Sequence, residues 1–143
     1  EPEDMFVASW NAVQYEGKFF NDYLPEYFTS KGERVRSKSE IIIADTLENN
    51  DVPYRYEYPL YLKGFGQIYP DFTVLNVRTR KEFVWEHFGM MDDPTYVENT
   101  IQKIATYEQN GFFPGENLIL TYESKNNPIN QKSIHLLIQE FLK

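Results

Sequence analysis

The run Ile68-Tyr69-Pro70-Asp71-Phe72-Thr73-Val74-Leu75-Asn76-Val77-Arg78-Thr79-Arg80-Lys81-Glu82-Phe83-Val84-Trp85-Glu86-His87-Phe88 carries most of the information about this chain. Two apolar, aromatic stretches, 67–77 and 81–88, flank the basic segment Arg78-Thr79-Arg80, the pattern of two strands joined as a hairpin. Strand alternation places Phe83, Trp85 and His87 on one face and Val84, Glu86 and Phe88 on the other. Both faces are mostly apolar, so 81–88 is expected to be a central strand covered on each side. A carboxylate at Glu86 then sits where water is scarce, and it needs a cation or takes up a proton. Pro70 removes a ladder donor and favours an edge or bulge that re-aims Asp71. If the strands pair, Asp71 and Glu86 lie side by side, and both stay ionised only with positive charge between them. A hard divalent cation held by oxygens supplies that charge. The plainer alternatives are a turn role for Asp71 and a structural arginine paired with Glu86.

Upstream, residues 54–62 read as another strand, ended by Lys63-Gly64. Ser37-Lys38-Ser39-Glu40 opens a helix over 37–49, with Ser37 and Glu40 as a capping box that accounts for Glu40 without any chemistry. Asn49-Asn50-Asp51 before Pro53 stops it. Downstream, Asp92-Asp93-Pro94 precedes a helix over 94–110, with Val97, Ile101, Ile104 and Ala105 as its apolar stripe and Gly111 at its end. Residues 116–123 form a further strand and 129–142 an amphipathic helix, where His135 reads as packing. Residues 1–30 are aromatic-rich and read as an N-terminal extension, one or two short helices packed on a core of residues 31–143, with 30–34 as a connection. The order is helix, three strands, helix, strand, helix: a mixed α/β (α+β) fold.

At 143 residues the chain fits one domain. Its 22 acidic and 14 basic residues leave a net charge of −8, which excludes nucleic-acid binding through an overall basic face. A polynucleotide would have to be met by bound metal or by local clusters. Lys31, Arg34, Arg36 and Lys38 at the first helix, and Arg78, Arg80 and Lys81 at the hairpin, are such clusters, or else solvated surface charge. The lack of Cys excludes a disulfide framework and thiolate metal sites and fits a reducing cytoplasm. No apolar run approaches the roughly 18–20 residues of a membrane span. With Glu1 in place of an initiator Met, the chain reads as processed or as an excised domain.

Glu40, Pro70-Asp71-Phe72 and Trp85-Glu86-His87-Phe88-Gly89, with Tyr54-Arg55-Tyr56-Glu57 between them, make the chain resemble the PD-(D/E)XK nuclease superfamily over about residues 34–123. The likeness is strongest to nuclease-like domains found alone in bacteria or attached to superfamily-1 helicases. It implies a restriction-endonuclease-like αβββαβ core with a mixed central sheet flanked by helices. It also implies a metal-dependent nuclease cutting phosphodiester bonds, in DNA, with Mg²⁺ or Mn²⁺ held by Asp71, Glu86, the His87 carbonyl and Glu40. The catalytic set it implies is Asp71, Glu86, Lys103 and Glu40, with Arg36, Lys38 and Tyr107 toward nucleic acid and a linked or associated helicase as a partner. The chain departs from the pattern at Phe88, where the family has lysine. Lys103 is the substitute: Tyr96, Lys103 and Tyr107 recur at i, i+7 and i+11, and Lys103 to Tyr107 looks like the "QxxxY" motif with Lys for Gln. If Lys103 faces solvent, the chain is instead a weak or inactive nuclease-fold module that binds nucleic acid or protein. The His87 ring is expected on the face opposite Glu86.

Overall fold

The computed structural model describes residues Glu1–Lys143. In chain order the elements are α1 (Glu3–Asn11), β1 (Tyr27–Phe28), β2 (Arg34–Val35), α2 (Lys38–Asn49), β3 (Tyr54–Tyr56), β4 (Leu60–Leu62) and β5 (Gly66–Ile68). They continue with β6 (Phe72–Asn76), β7 (Lys81–Phe88), α3 (Pro94–Gln109), β8 (Leu118–Tyr122) and α4 (Gln131–Phe141). The central sheet is mixed and four-stranded, in the order β3-β6-β7-β8. Strands β3, β6 and β7 run antiparallel, and β8 pairs parallel with β7. A parallel neighbour requires a crossover, and α3 supplies it. No helix is long and apolar enough to cross a membrane.

Two strands expected to be continuous are each broken. Residues 54–62 divide into β3 and β4 because Glu57 takes a left-handed φ of +52° and Pro59 follows. Residues 67–77 divide into β5 and β6 across Tyr69-Pro70-Asp71. The two breaks face each other, since the Glu57 N–H donates to the Asp71 carbonyl at 3.1 Å. The freed halves pair with one another as a separate β4–β5 hairpin. Beyond its break β6 pairs with β7 in the register Phe72↔Trp85.

One face of the sheet carries Phe72, Val74, Phe83, Trp85 and Ile119, which bury against Ile43, Ala44 and Leu47 of α2 and Ile134 and Ile138 of α4. The opposite face is thinner, with Val84 and Leu118 packing under Tyr107 of α3 and Leu62 and Ile68 of the small hairpin. The inward face of α3 differs from the expected stripe. Thr100 and Tyr107 are buried, while Ile101 is 56% exposed. Val97, Ile104 and Ala105 of the expected stripe are half-buried, and polar and aromatic side chains of α3 share the inward face with them. His135, expected to pack, is exposed on α4. The N-terminal extension holds one helix, α1, and ends in β1, which pairs with β2. Trp10 of α1 buries its ring, donating from Nε1 to Glu82 Oε2 at 2.7 Å, and the Arg55 guanidinium stacks on it at 4.0 Å.

Ile138→Ala is expected to lower unfolding free energy by about 2–5 kcal/mol. Ile101→Ala should change it by no more than about 0.5 kcal/mol. Urea denaturation of the two variants checks the assignment of inward faces.

Candidate metal centre

The register Phe72↔Trp85 continues by one residue to set Asp71 opposite Glu86. Both side chains emerge on the face covered by α3, and each carboxylate accepts a backbone N–H from across the pair. Glu86 Oε1 accepts from the Asp71 N–H at 3.0 Å, and Asp71 Oδ2 accepts from the His87 N–H at 2.7 Å. The break at Pro70 makes this possible, because β6 pairing begins only at Phe72 and frees the Asp71 N–H for a side chain. Glu86 is buried, at 2% exposure.

Helix α3 brings two groups to the second Glu86 oxygen. Lys103 Nζ lies 2.5 Å from Glu86 Oε2, and the Tyr107 hydroxyl donates to the same atom at 2.9 Å. Tyr96 completes the stripe, its hydroxyl oxygen accepting from the Gly89 N–H at 3.1 Å. Helix α3 starts where Asp93 caps it, its side chain accepting from the Thr95 and Tyr96 N–H groups.

Glu40 reaches the cluster from α2. Ser37 caps that helix by accepting from the Glu40 N–H at 3.2 Å. The Glu40 carboxylate does not return to the cap residue as a capping box would have it. Its Oε1 accepts from the Arg36 N–H at 2.8 Å and from the Tyr56 hydroxyl at 2.6 Å. The capping reading therefore accounts for the Glu40 backbone and leaves its buried carboxylate unexplained.

Burial, and then the charges of Glu86 and Glu40, push the Asp71 carboxyl well above the ordinary carboxylate range. Burial also raises Glu40, against the hydrogen bonds from Tyr56 and Arg36. Burial alone would drive Lys103 toward neutrality, yet Glu86 and Asp71 outweigh it and hold the ammonium above its usual pKa. Lys103 thus meets two acids, Glu86 and Asp71, and Glu40 adds its charge on Asp71. Asp71 Oδ1 and Glu40 Oε2 accept no hydrogen bond from the protein. The donors are all oxygens, the type a hard divalent cation takes, but no three Asp, Glu, His or Cys side chains converge closely enough to hold an ion by themselves.

The His87 ring takes the other face, as expected. Its Nδ1 lies 2.8 Å from Thr121 Oγ1 and its Nε2 lies 2.8 Å from Glu123 Oε1. Trp85 Nε1 also donates to Thr121 Oγ1, at 3.1 Å. Ser39 also donates to Glu123 Oε1. Burial raises Glu123, but hydrogen bonds from Ser39 and His87 outweigh it and hold the carboxyl below its ordinary range. Sequence reasoning missed Tyr56, Thr121 and Glu123 as site residues. Only the parallel register His87↔Thr121 reveals the last two.

Two expected nucleic-acid contacts are corrected. Tyr107 is fully buried and its hydroxyl is spent on Glu86. Arg36 holds buried Glu57, its Nε donating to Oε2 at 2.6 Å, and stacks on Phe20 at 4.0 Å. Arg34 stacks on the same ring at 4.6 Å. At the β6–β7 turn Arg78 donates to the Lys143 carbonyl, and Arg80 to that of Glu1. Lys38 is exposed.

No known family profile matches the chain. An uncharacterized protein of Methanocaldococcus jannaschii is 33% identical over 119 residues, which cover 82% of this chain and 10% of that relative. The chain spans about a tenth of the length of the curated relative it matches.

Arg36→Ala, which strands the buried Glu57 carboxylate, should cost about 3 kcal/mol in chemical denaturation, whereas Lys38→Ala should cost under about 0.5 kcal/mol. Asp71→Asn keeps the acceptor for the His87 N–H and removes a destabilised charge. Because the folded-state pKa of Asp71 lies above the unfolded one, wild-type stability falls as pH rises from the ordinary carboxylate range. Asp71→Asn is therefore expected to melt higher than wild type at pH 7, with the gap closing near pH 4. A melting series across that range measures it.

Proposed function

We propose that this chain is a metal-dependent phosphodiesterase acting on nucleic acid, DNA in the first instance, on a restriction-endonuclease-like version of its mixed α/β fold. One observation carries the reading: Asp71 and Glu86 lie side by side on paired strands with the Lys103 ammonium 2.5 Å from Glu86. Arginine does not neutralise the pair, and Lys103, migrated to the following helix, stands where the sequence pattern at Phe88 lacks it.

Asp71 and Glu86 would hold Mg²⁺ or Mn²⁺, with the His87 carbonyl and with Glu40 either directly or through water. Such an ion, when bound, supplies Lewis-acid polarisation of a phosphate and a water acidic enough to react near neutral pH. Asp71 keeps Oδ1 free for such an ion because its Oδ2 is tied to the His87 N–H. Both Glu86 oxygens already accept from the protein, Oε1 from the Asp71 N–H and Oε2 from Lys103 and Tyr107, so Glu86 would share a bonded oxygen with the ion. Lys103 keeps its proton beside Glu86 and offers a fixed positive charge to the phosphoryl oxygens as negative charge builds there. Tyr107 and Tyr56 hold Glu86 and Glu40 in place from buried positions. The resemblance extends the proposal to a cytoplasmic module working with a linked or associated superfamily-1 helicase.

Incubating the chain with Mn²⁺ or Mg²⁺ and single- or double-stranded DNA should give cleavage that Asp71→Ala abolishes. Lys103→Ala should lower kcat by about 100-fold. Mn²⁺ should raise the wild-type melting temperature, by about 2.7 kcal/mol of stabilisation at a hundredfold excess over Kd, and leave that of Asp71→Ala unchanged. Absence of both cleavage and metal-linked stabilisation would overturn the proposal.

A further inference from the structure

A groove of about 530 Å³ lies beside the acids, lined by Lys18, Phe65, Gln67, Tyr69, Gln102 and Lys103 among others. Lys103 belongs to both places: it lines the groove and its Nζ reaches Glu86. Tyr69 stands two residues before Asp71 along the chain. The groove therefore ends at the carboxylates.

Its lining runs against the overall charge of the chain. In a chain with 22 acidic residues and a net charge of −8, no carboxylate lines it, and Lys18 and Lys103 do. Its far end is the turn of the β4–β5 hairpin. Gly64 and Gly66 take φ of +86° and +105°, conformations that L-residues avoid, and between them the Phe65 ring is left 58% exposed. An aromatic ring held in water beside a groove with one unpaired lysine, Lys18, and a second, Lys103, at the acids is an arrangement that stacks bases and tracks phosphates. Bases inside a duplex have no free face to offer such a ring. An unpaired strand has one at every nucleotide.

We propose that this groove binds an unpaired nucleic-acid strand, stacking a base on Phe65 and leading the phosphate backbone past Lys18 to Lys103. The proposal rests on the phosphodiesterase reading for the role of the acids at its end, and narrows the substrate to single-stranded nucleic acid or single-stranded ends.

The test is fluorescence anisotropy of the full chain in EDTA, with labelled oligo-dT and a blunt duplex of equal length as probes. Wild type should bind oligo-dT about tenfold or more tightly than the duplex. Phe65→Ala should weaken oligo-dT binding about tenfold, with its melting temperature and Mn²⁺-linked stabilisation unchanged. Lys18→Gln should flatten the salt dependence of oligo-dT binding by about one phosphate contact. Equal binding of oligo-dT by wild type and Phe65→Ala, or equal binding of duplex and single strand, overturns the proposal. If Asp71-dependent cleavage persists in that case, the groove is rejected and the hydrolytic reading stands. Phe65-dependent binding without divalent-dependent cleavage keeps the groove and rejects the hydrolytic reading.

Discussion

Two carboxylates forced together by strand register set the terms for the rest of this molecule. Once Phe72 pairs with Trp85, Asp71 has no choice but to face Glu86. Their repulsion acts in a partly dry environment where water screens little. The fold tolerates it by giving each acid a backbone N–H and by laying α3 across the pair with one lysine and one tyrosine hydroxyl. Those donors offset part of the charge, and burial and repulsion still hold Asp71 well above its ordinary pKa. Burial and like charge of this kind are a cost to stability.

The surrounding elements serve to fix that cluster. Residues adjacent to the acids in sequence are tied to one another on the opposite side of the sheet. Ser39, next to Glu40, and His87, next to Glu86, both hydrogen-bond the Glu123 carboxylate at the end of β8. One buried network thereby couples the start of α2, the end of β7 and the end of β8. The same design explains the odd inward face of α3. An apolar stripe alone would have left Glu86 Oε2 without a donor; Tyr96, Lys103 and Tyr107 turn inward and Ile101 turns out.

The overall charge of −8 leaves the few cations' positions to decide the local potential. Arg34, Arg36 and Arg55 stack on Phe20 or Trp10, while exposed Arg78 and Arg80 are joined to backbone near the chain termini. The cations that remain near the acids are lysines on an acid-free groove. Local potential rather than net charge therefore governs what this surface attracts.

Much of the fold was legible in the sequence, because hydrophobic period and capping chemistry are local. The β7 boundaries, the Ser37 and Asp93 helix starts and the two faces of 83–88 follow from side chains a few residues apart. The pairing of Asp71 with Glu86 was legible for the same reason, since a hairpin brings neighbours in sequence together. The breaks at Glu57 and Pro70 were not, because they arise from the opposition of β3 and β6 across the sheet. Arg36 looked like a phosphate contact and became a structural pair, because its partner Glu57 is 21 residues away. Tyr107 was placed in the right stripe with the wrong role, since burial is a property of the assembled layers. The residue types and their spacing were enough to determine that acids would meet. Only the tertiary structure decided which groups neutralise them, because charge compensation depends on distances between elements that the chain order does not encode.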